Sequence, residues 1–281
     1  MNVSRIVTVR YAEFDKTYRT HGEVHNFWEL IYADKESIVC TADDREIPLQ
    51  GGELLFHKPN ELHAFAANGK KAPNVLVVCF ECKSESMRFF ENRKVILDKR
   101  YARFLYAILD EAKRTFAIPA ADTRLEKLTL LPTPTLGGQQ LIKNYLEILL
   151  ISIMRALTET ESGNTTFLQK REYKNHLVDQ ILEILENNLH RTLTVDEICR
   201  QIAYGKAYAF REFKAATGKS IMNYFTVLKI EKAKQLLREN ELSVRQIADA
   251  LAFDTPSYFS KTFKRVTGLT PSAYKKLTLR F

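Results

Sequence analysis

Histidines and carboxylates cluster near the start of the 281-residue chain. His21, Glu23, His25 and Glu29 lie two or four positions apart, and His63 follows Pro59-Asn60-Glu61-Leu62. Imidazole nitrogens and carboxylate oxygens hold divalent ions, and they also pair with the hydroxyl groups of small molecules. Strand alternation puts His21, Glu23, His25, Phe27, Glu29 and Ile31 on one face, so these groups can converge. Three readings compete: a metal-dependent enzyme, a pocket that hydrogen-bonds a small-molecule effector, and a structural cluster of satisfied histidines. The effector pocket is preferred, with His21, Glu23, His25, Trp28, Glu29 and His63 as its candidates. Carboxylates, imidazoles and an aromatic ring from Trp28 or Phe27 suit a polyhydroxylated ligand such as a sugar. No metal, cofactor or catalytic residue is assigned.

The thiols carry less. Cys79 and Cys82 form a C-x-x-C inside the apolar run Val75 to Cys82, which reads as a buried strand whose positions i and i+3 face opposite sides. Packing is therefore their preferred role. With Cys40 and Cys199 they read as reduced thiols of a cytoplasmic protein, because the N-terminus lacks the uninterrupted apolar core of a secretion signal. Gly51-Gly52 lacks the Lys-Ser/Thr of a phosphate-binding loop and reads as a turn.

A second group of candidates lies in an internal repeat of about 50 residues. Thr194-Val195-Asp196-Glu197-Ile198 matches Ser243-Val244-Arg245-Gln246-Ile247, and Tyr208, Phe213-Lys214 and Thr217-Gly218 match Tyr258, Phe263-Lys264 and Thr267-Gly268. Each copy opens with a capping box, Thr194-x-x-Glu197 or Ser243-x-x-Gln246, then turns tightly into an amphipathic second helix. That second helix buries Ala209 and Phe213, or Phe259 and Phe263. The pattern describes two helix-turn-helix units, 194–216 and 243–266, whose second helices enter the DNA major groove. Their outward stripes are Lys206, Ala207, Phe210, Arg211 and Lys214, and then Pro256, Ser257, Ser260, Lys261, Lys264 and Arg265. Arg211 and Lys261 are placed for base edges, and Lys214, Lys264 and Arg265 for phosphates. Met222 to Arg238 reads as a helix about 25 Å long, a strut able to set two reading helices one DNA turn, about 34 Å, apart.

The charge distribution agrees. Residues 171–281 hold 19 Lys plus Arg against 12 Asp plus Glu, whereas residues 1–170 hold 23 against 22. A basic domain beside a neutral one implies a polyanion partner, with double-stranded DNA ahead of a membrane. Collagen-like, disordered and disulfide-scaffold classes are excluded by a composition of 45% hydrophobic and 27% charged residues. The longest apolar run, Tyr145 to Met154, is too short to span a bilayer.

These elements need a scaffold, and the chain divides for it. Residues 1–83 hold short apolar runs between turn signals (Phe27 to Ala33, Ile38 to Ala42, Glu53 to Phe56, Val75 to Phe80) and read as a small β-barrel or sandwich. Residues 84–160 read as helical, broken by Pro119, Pro132, Pro134 and Gly137-Gly138. There Leu141, Tyr145, Ile148, Leu149, Ser152, Ile153 and Ala156 share one broad face, either a homodimer element or a face buried within its own domain. Residues 161–172 read as a linker and 173–281 as the DNA-binding domain. The expected class is α+β multidomain, a sensing β-barrel with a helical dimerisation segment followed by an all-α domain.

The second repeat and its tail, Ile247-Ala248-x-x-x-Ala252-Phe253-x-x-x-Ser257-Tyr258-Phe259-Ser260-x-x-Phe263-Lys264-x-x-x-Gly268-x-Thr270-Pro271-x-x-Tyr274, resemble the AraC/XylS family of transcriptional regulators over residues 175–278. The resemblance implies a DNA-binding regulator, more often an activator, whose second unit also faces RNA polymerase. The sequence departs from the family at Ala252, usually Gly, at Gly205, usually Ser, and at Ala209, usually a large aliphatic residue. His25-x-x-x-Glu29 with His63 is similar to a cupin metal site in which Glu23 replaces the first histidine, and residues 1–83 resemble the cupin-like sensor of many family members. The alternative is a metal-dependent cupin enzyme with an accessory basic domain.

Overall fold

Strands β1 (Val3–Glu13), β2 (Trp28–Lys35), β3 (Ile38–Ala42), β4 (Arg45–Leu49), β5 (Glu53–His57), β6 (His63–Ala67), β7 (Asn74–Cys82) and β8 (Lys94–Ile96) form two antiparallel sheets. Their orders are β1-β7-β2-β5-β8 and β4-β3-β6. The computed structural model describes residues 1–118, 127–161, 176–202 and 204–278. It divides into two units, Met1–Asn164 and Thr165–Arg280.

Alternation along β2 and β7 builds two cores from one sheet. Trp28, Leu30, Tyr32, Val78 and Phe80 face helices, whereas Ile31, Ala33, Val77 and Cys79 face Ile38, Cys40 and Phe65 of the smaller sheet. Strands buried on both faces read as continuous apolar runs, which is why β7 shows no alternation in sequence. Two expectations change. The sheets do not close into a barrel; five strands face three across the second core, and helices cover the larger sheet's other face. The β-rich part also continues beyond residue 83, because β8 pairs with β5, Glu53 opposite Ile96.

The covering helices are α1 (Lys99–Thr115) and α2 (Gly138–Glu161). Asp98 caps α1, accepting from the Arg100 amide at 2.8 Å. Gly138 opens α2 where a Cβ would collide with the Thr115 hydroxyl, so the close approach of the two helices requires glycine. The buried stripe of α2 is Ile142, Leu146, Leu149, Leu150 and Ile153, rotated from the expected face, and Leu141, Ile148 and Ile151 are exposed. The Val3 amide donates to Glu147 Oε1 at 2.7 Å, fixing β1 to α2. No helix among the described residues is long and apolar enough to cross a membrane. Residues 162–172 of the expected linker, and Pro119, lie outside the described residues.

The second unit contains α3 (His176–Asn187), α4 (Val195–Gln201), α5 (Lys206–Thr217), α6 (Ile221–Glu239), α7 (Val244–Ala250), α8 (Pro256–Thr267) and α9 (Pro271–Thr278). It has two cores that share one helix. Ile221 and Phe225 of α6 pack with α3, α4 and α5, whereas Ile230, Ala233 and Leu237 pack with α7, α8 and α9. At 19 residues, α6 is about 28 Å long and contributes to both cores.

Two candidate reading helices and a buried imidazole pocket

Each helix pair begins as its sequence dictates. The Thr194 amide donates to Glu197 Oε2 at 2.7 Å, and the Ser243 amide to Gln246 Oε1 at 2.9 Å; in both boxes the third helical amide returns a bond to the hydroxyl at 3.3 Å. The second helices start differently. Gly205 gives α5 no side-chain cap, whereas Thr255 accepts from the Tyr258 amide at 3.1 Å and Pro256 fills the first turn of α8. Both end on a left-handed glycine, Gly218 or Gly268.

Ala209 and Phe213 of α5, and Phe259 and Phe263 of α8, are buried as expected. Lys206, Ala207, Arg211 and Lys214 are exposed, as are Pro256, Ser257, Lys261, Lys264 and Arg265, while Ser260 is half-buried. Phe210, read as either an outward thymine contact or a filler of the space left by Ala209, is half-buried against the first core beside Ala209.

The two stripes differ electrostatically. Lys206 Nζ donates to Asp196 at 2.8 Å, a bond that raises the Lys206 pKa. Arg211 Nε lies 3.3 Å from Glu212, and its guanidinium sits 5.2 Å from the centre of the Tyr208 ring. Among the described residues, Lys261, Lys264 and Arg265 on α8 make no ion pair. The sequence reading passed over Tyr208 and Tyr258 as surface groups; both are exposed at matching repeat positions, and Tyr208 stacks on Tyr204 with centroids 5.8 Å apart. Their signal was the repeat match itself.

In the first unit, strand register assembles a polar row inside the second core. Thr8 of β1 lies opposite Cys79 of β7, Cys79 opposite Glu29 of β2, and Glu29 opposite His57 of β5. His63, at the start of β6, brings a ring from the facing sheet. His25 Nε2 lies 3.7 Å from Glu29 Oε2, His63 Nε2 3.8 Å from Glu29 Oε1, and Cys79 Sγ donates to Glu29 Oε2 at 3.3 Å. The His57 ring stacks on His63 at 4.5 Å, and its Nδ1 pairs with Glu61 at 3.0 Å. Burial alone would raise the Glu29 pKa, but the imidazoles and the Arg10 charge override it and hold the carboxyl at about 2. Burial also lowers the His63 pKa against the pull of Glu29.

Of the six expected pocket residues, the structure brings together His25, Glu29 and His63. His21 and Glu23 are exposed, because regular strand begins only at Trp28 and the alternation assumed before it does not hold. Trp28 faces the other side of β2, in the helix-covered core, and leaves the pocket without its proposed indole. Phe27 stacks on His25 instead, with centroids 3.8 Å apart. His57 and Cys79 belong to the cluster and were missed. Cys79 and Cys82 do face opposite cores, as their spacing required.

A family model described as a helix-turn-helix domain matches residues 198–277. The transcriptional activator RhaR of Enterobacter sp. (strain 638) is 21% identical over 89% of this chain and 85% of its own length. The uncharacterized transcriptional regulator YobQ of Bacillus subtilis is 23% identical over 91% and 88%. The MmsAB operon regulatory protein of Pseudomonas aeruginosa is 33% identical over 35% of this chain and 32% of that protein. Among solved structures, an AraC-type transcriptional regulator from Chromobacterium violaceum is 24% identical over 37% of this chain and 93% of that chain, with a TM-score of 0.36.

The chain is a DNA-binding transcription regulator with a helix-turn-helix domain, and its relatives are named transcriptional regulators. It binds DNA through its helical unit and is not an enzyme, since the relatives that span most of its length are regulators. Ala252 stands at φ 47°, in the left-handed region that favours glycine. The Gly205 departure removes one capping bond, a loss of a few tenths of a kcal/mol for Gly in place of Ser.

Proposed function

We propose that this regulator reads two successive major grooves with α5 and α8, and that an effector held by His25, Glu29 and His63 governs the reading. The observation that carries the first part is the duplicated, capped helix pair fastened at each end of α6, with exposed cations on both second helices. The resemblance to activators supports a positive role at promoters and a contact between the second unit and RNA polymerase. The exposed Leu141, Ile148 and Ile151 stripe on α2 supports a homodimer through that helix. DNA in the bacterial cytoplasm is the compartment this reading requires.

The test is selection of a random duplex pool by the full chain at physiological salt. One enriched sequence with two contacted segments about one turn apart is expected, with affinity falling steeply as salt rises. Retention of every sequence equally would overturn sequence-specific reading. A small molecule that shifts the melting of the full chain, with the shift absent in His25→Ala, would support the effector site.

A further inference from the structure

The two second helices hold their central cations differently. Arg211 of α5 and Lys261 of α8 occupy the same repeat position, one helical turn after Tyr208 and Tyr258, and all of these side chains are exposed. Residues so spaced are neighbours on a helix surface. Contact forms in α5, where the Arg211 guanidinium sits 5.2 Å from the centre of the Tyr208 ring. Among the described residues, Lys261 makes neither a ring contact nor an ion pair. The Tyr208 ring is itself backed by the exposed Tyr204, with planes 26° apart. In the second repeat the matching Phe253 is drawn against the second core and meets Tyr258 at 6.2 Å, tilted by 54°. Arg211 Nε also donates to Glu212 Oε1 at 3.3 Å, whereas the residue matching Glu212 is the buried Thr262, so α8 has no carboxylate there.

We propose that Tyr208 is a positioning residue that holds Arg211 ready for a guanine edge, so that α5 makes the more exacting base choice of the two helices. A long side chain that docks from solution gives up its rotamer freedom on binding, and one already held gives up less. The ring restrains the plane of the guanidinium, and Glu212 engages its Nε. The remaining donors are those of the two terminal nitrogens, the fork that matches O6 and N7 of guanine. An exposed ion pair with a sequence neighbour holds little by itself, which leaves the ring as the main restraint. The ammonium of Lys261 is a compact charge with rotatable donors and has no plane to fix, so it discriminates less sharply.

The inference rests on reading α5 as a helix that enters the major groove. The experiment measures binding of the full chain and its variants to a duplex that the full chain enriches from a random pool, and to every single-base-pair change of that duplex. Arg211→Ala should remove a guanine preference of about 5- to 150-fold at one position. Tyr208→Leu should cut the same preference about 2- to 5-fold and leave the other positions as they were. Tyr208→Phe should retain it, because the ring and not the hydroxyl makes the contact. Lys261→Ala should relax a weaker preference at its own position, and a stronger one there overturns the ranking of the two helices. Weakening of every duplex alike by Tyr208→Leu, with a lowered thermal midpoint, would show a structural role and overturn the positioning. Guanine preference lost in Arg211→Ala but kept in full by Tyr208→Leu overturns the positioning alone. An Arg211→Ala variant that keeps every base preference overturns base reading by α5 as well.

Discussion

Lys229 Nζ lies 3.4 Å from the Ala252 carbonyl oxygen and, on its other side, 3.0 Å from that of Arg191. Arg191 precedes α4 and Ala252 sits in the turn between α7 and α8, so one ammonium on α6 ties the two helix pairs together. The group is nearly buried, and desolvation lowers its pKa against an opposing pull from Asp254. The Phe225 and Phe253 rings, with centroids 4.9 and 5.5 Å away, partly replace its water. Lys229→Met keeps the apolar stem and leaves both carbonyls without this donor. The expected loss is about 1 to 3 kcal/mol in urea unfolding. Affinity should fall more on a duplex spanning two grooves than on one carrying a single half-site. Equal affinity loss on both duplexes would mean that Lys229 supports folding without setting the spacing of the reading helices.

Ala252 itself carries strain. At φ 47° its Cβ crowds the backbone, and Ala252→Gly removes the crowding at the cost of a looser unfolded chain. The expected net gain is about 0.5 to 1 kcal/mol, read as a raised thermal midpoint. A lowered midpoint would show that the methyl's packing near the second core outweighs the strain.

The two capping boxes should respond differently to acid. Bonds from the Arg191 side chain and from Thr194 hold the Glu197 carboxyl at about 2, below its ordinary 4.5. A depressed carboxyl contributes stability that is complete above pH 4.5 and is lost as pH falls toward 2. Gln246, which fills the same position in the second box, does not titrate. Amide exchange at the start of α4 should therefore quicken through that window while the start of α7 does not. Glu197→Gln should abolish the difference; its persistence would place the acid-sensitive group elsewhere.

The helical unit was legible because its signals are local. Thr194-x-x-Glu197 and Ser243-x-x-Gln246 report their own caps, and the repeat reports its own symmetry. The pocket was half legible. His25, Glu29 and His63 were visible by type and spacing, but His57 and Cys79 join only through the register that sets both opposite Glu29. Register is a long-range pairing with no local sequence mark. His21 and Glu23 were misplaced because the alternation was carried back through residues 21–27, which are not regular strand, and Trp28 was placed in the pocket against an alternation that puts it on the opposite face from Glu29.

The asymmetry between the reading helices gives the remaining prediction. Lys206 is committed to Asp196, whereas Lys261 and Lys264 have no acidic partner among the described residues. Asp196→Asn frees the Lys206 ammonium without changing the shape of α4, and the pair is exposed enough that folding stability should hardly change. If α5 lies against phosphates, the released charge strengthens DNA binding at low salt and steepens the salt dependence by about one counterion. Lys261→Ala should instead relax preference at one base position, and Lys264→Ala should weaken all sequences alike and flatten the salt slope by about one. Binding isotherms for the three variants on matched and mismatched duplexes separate these effects. An unchanged slope in Asp196→Asn would place Lys206 away from the DNA and leave base reading to α8.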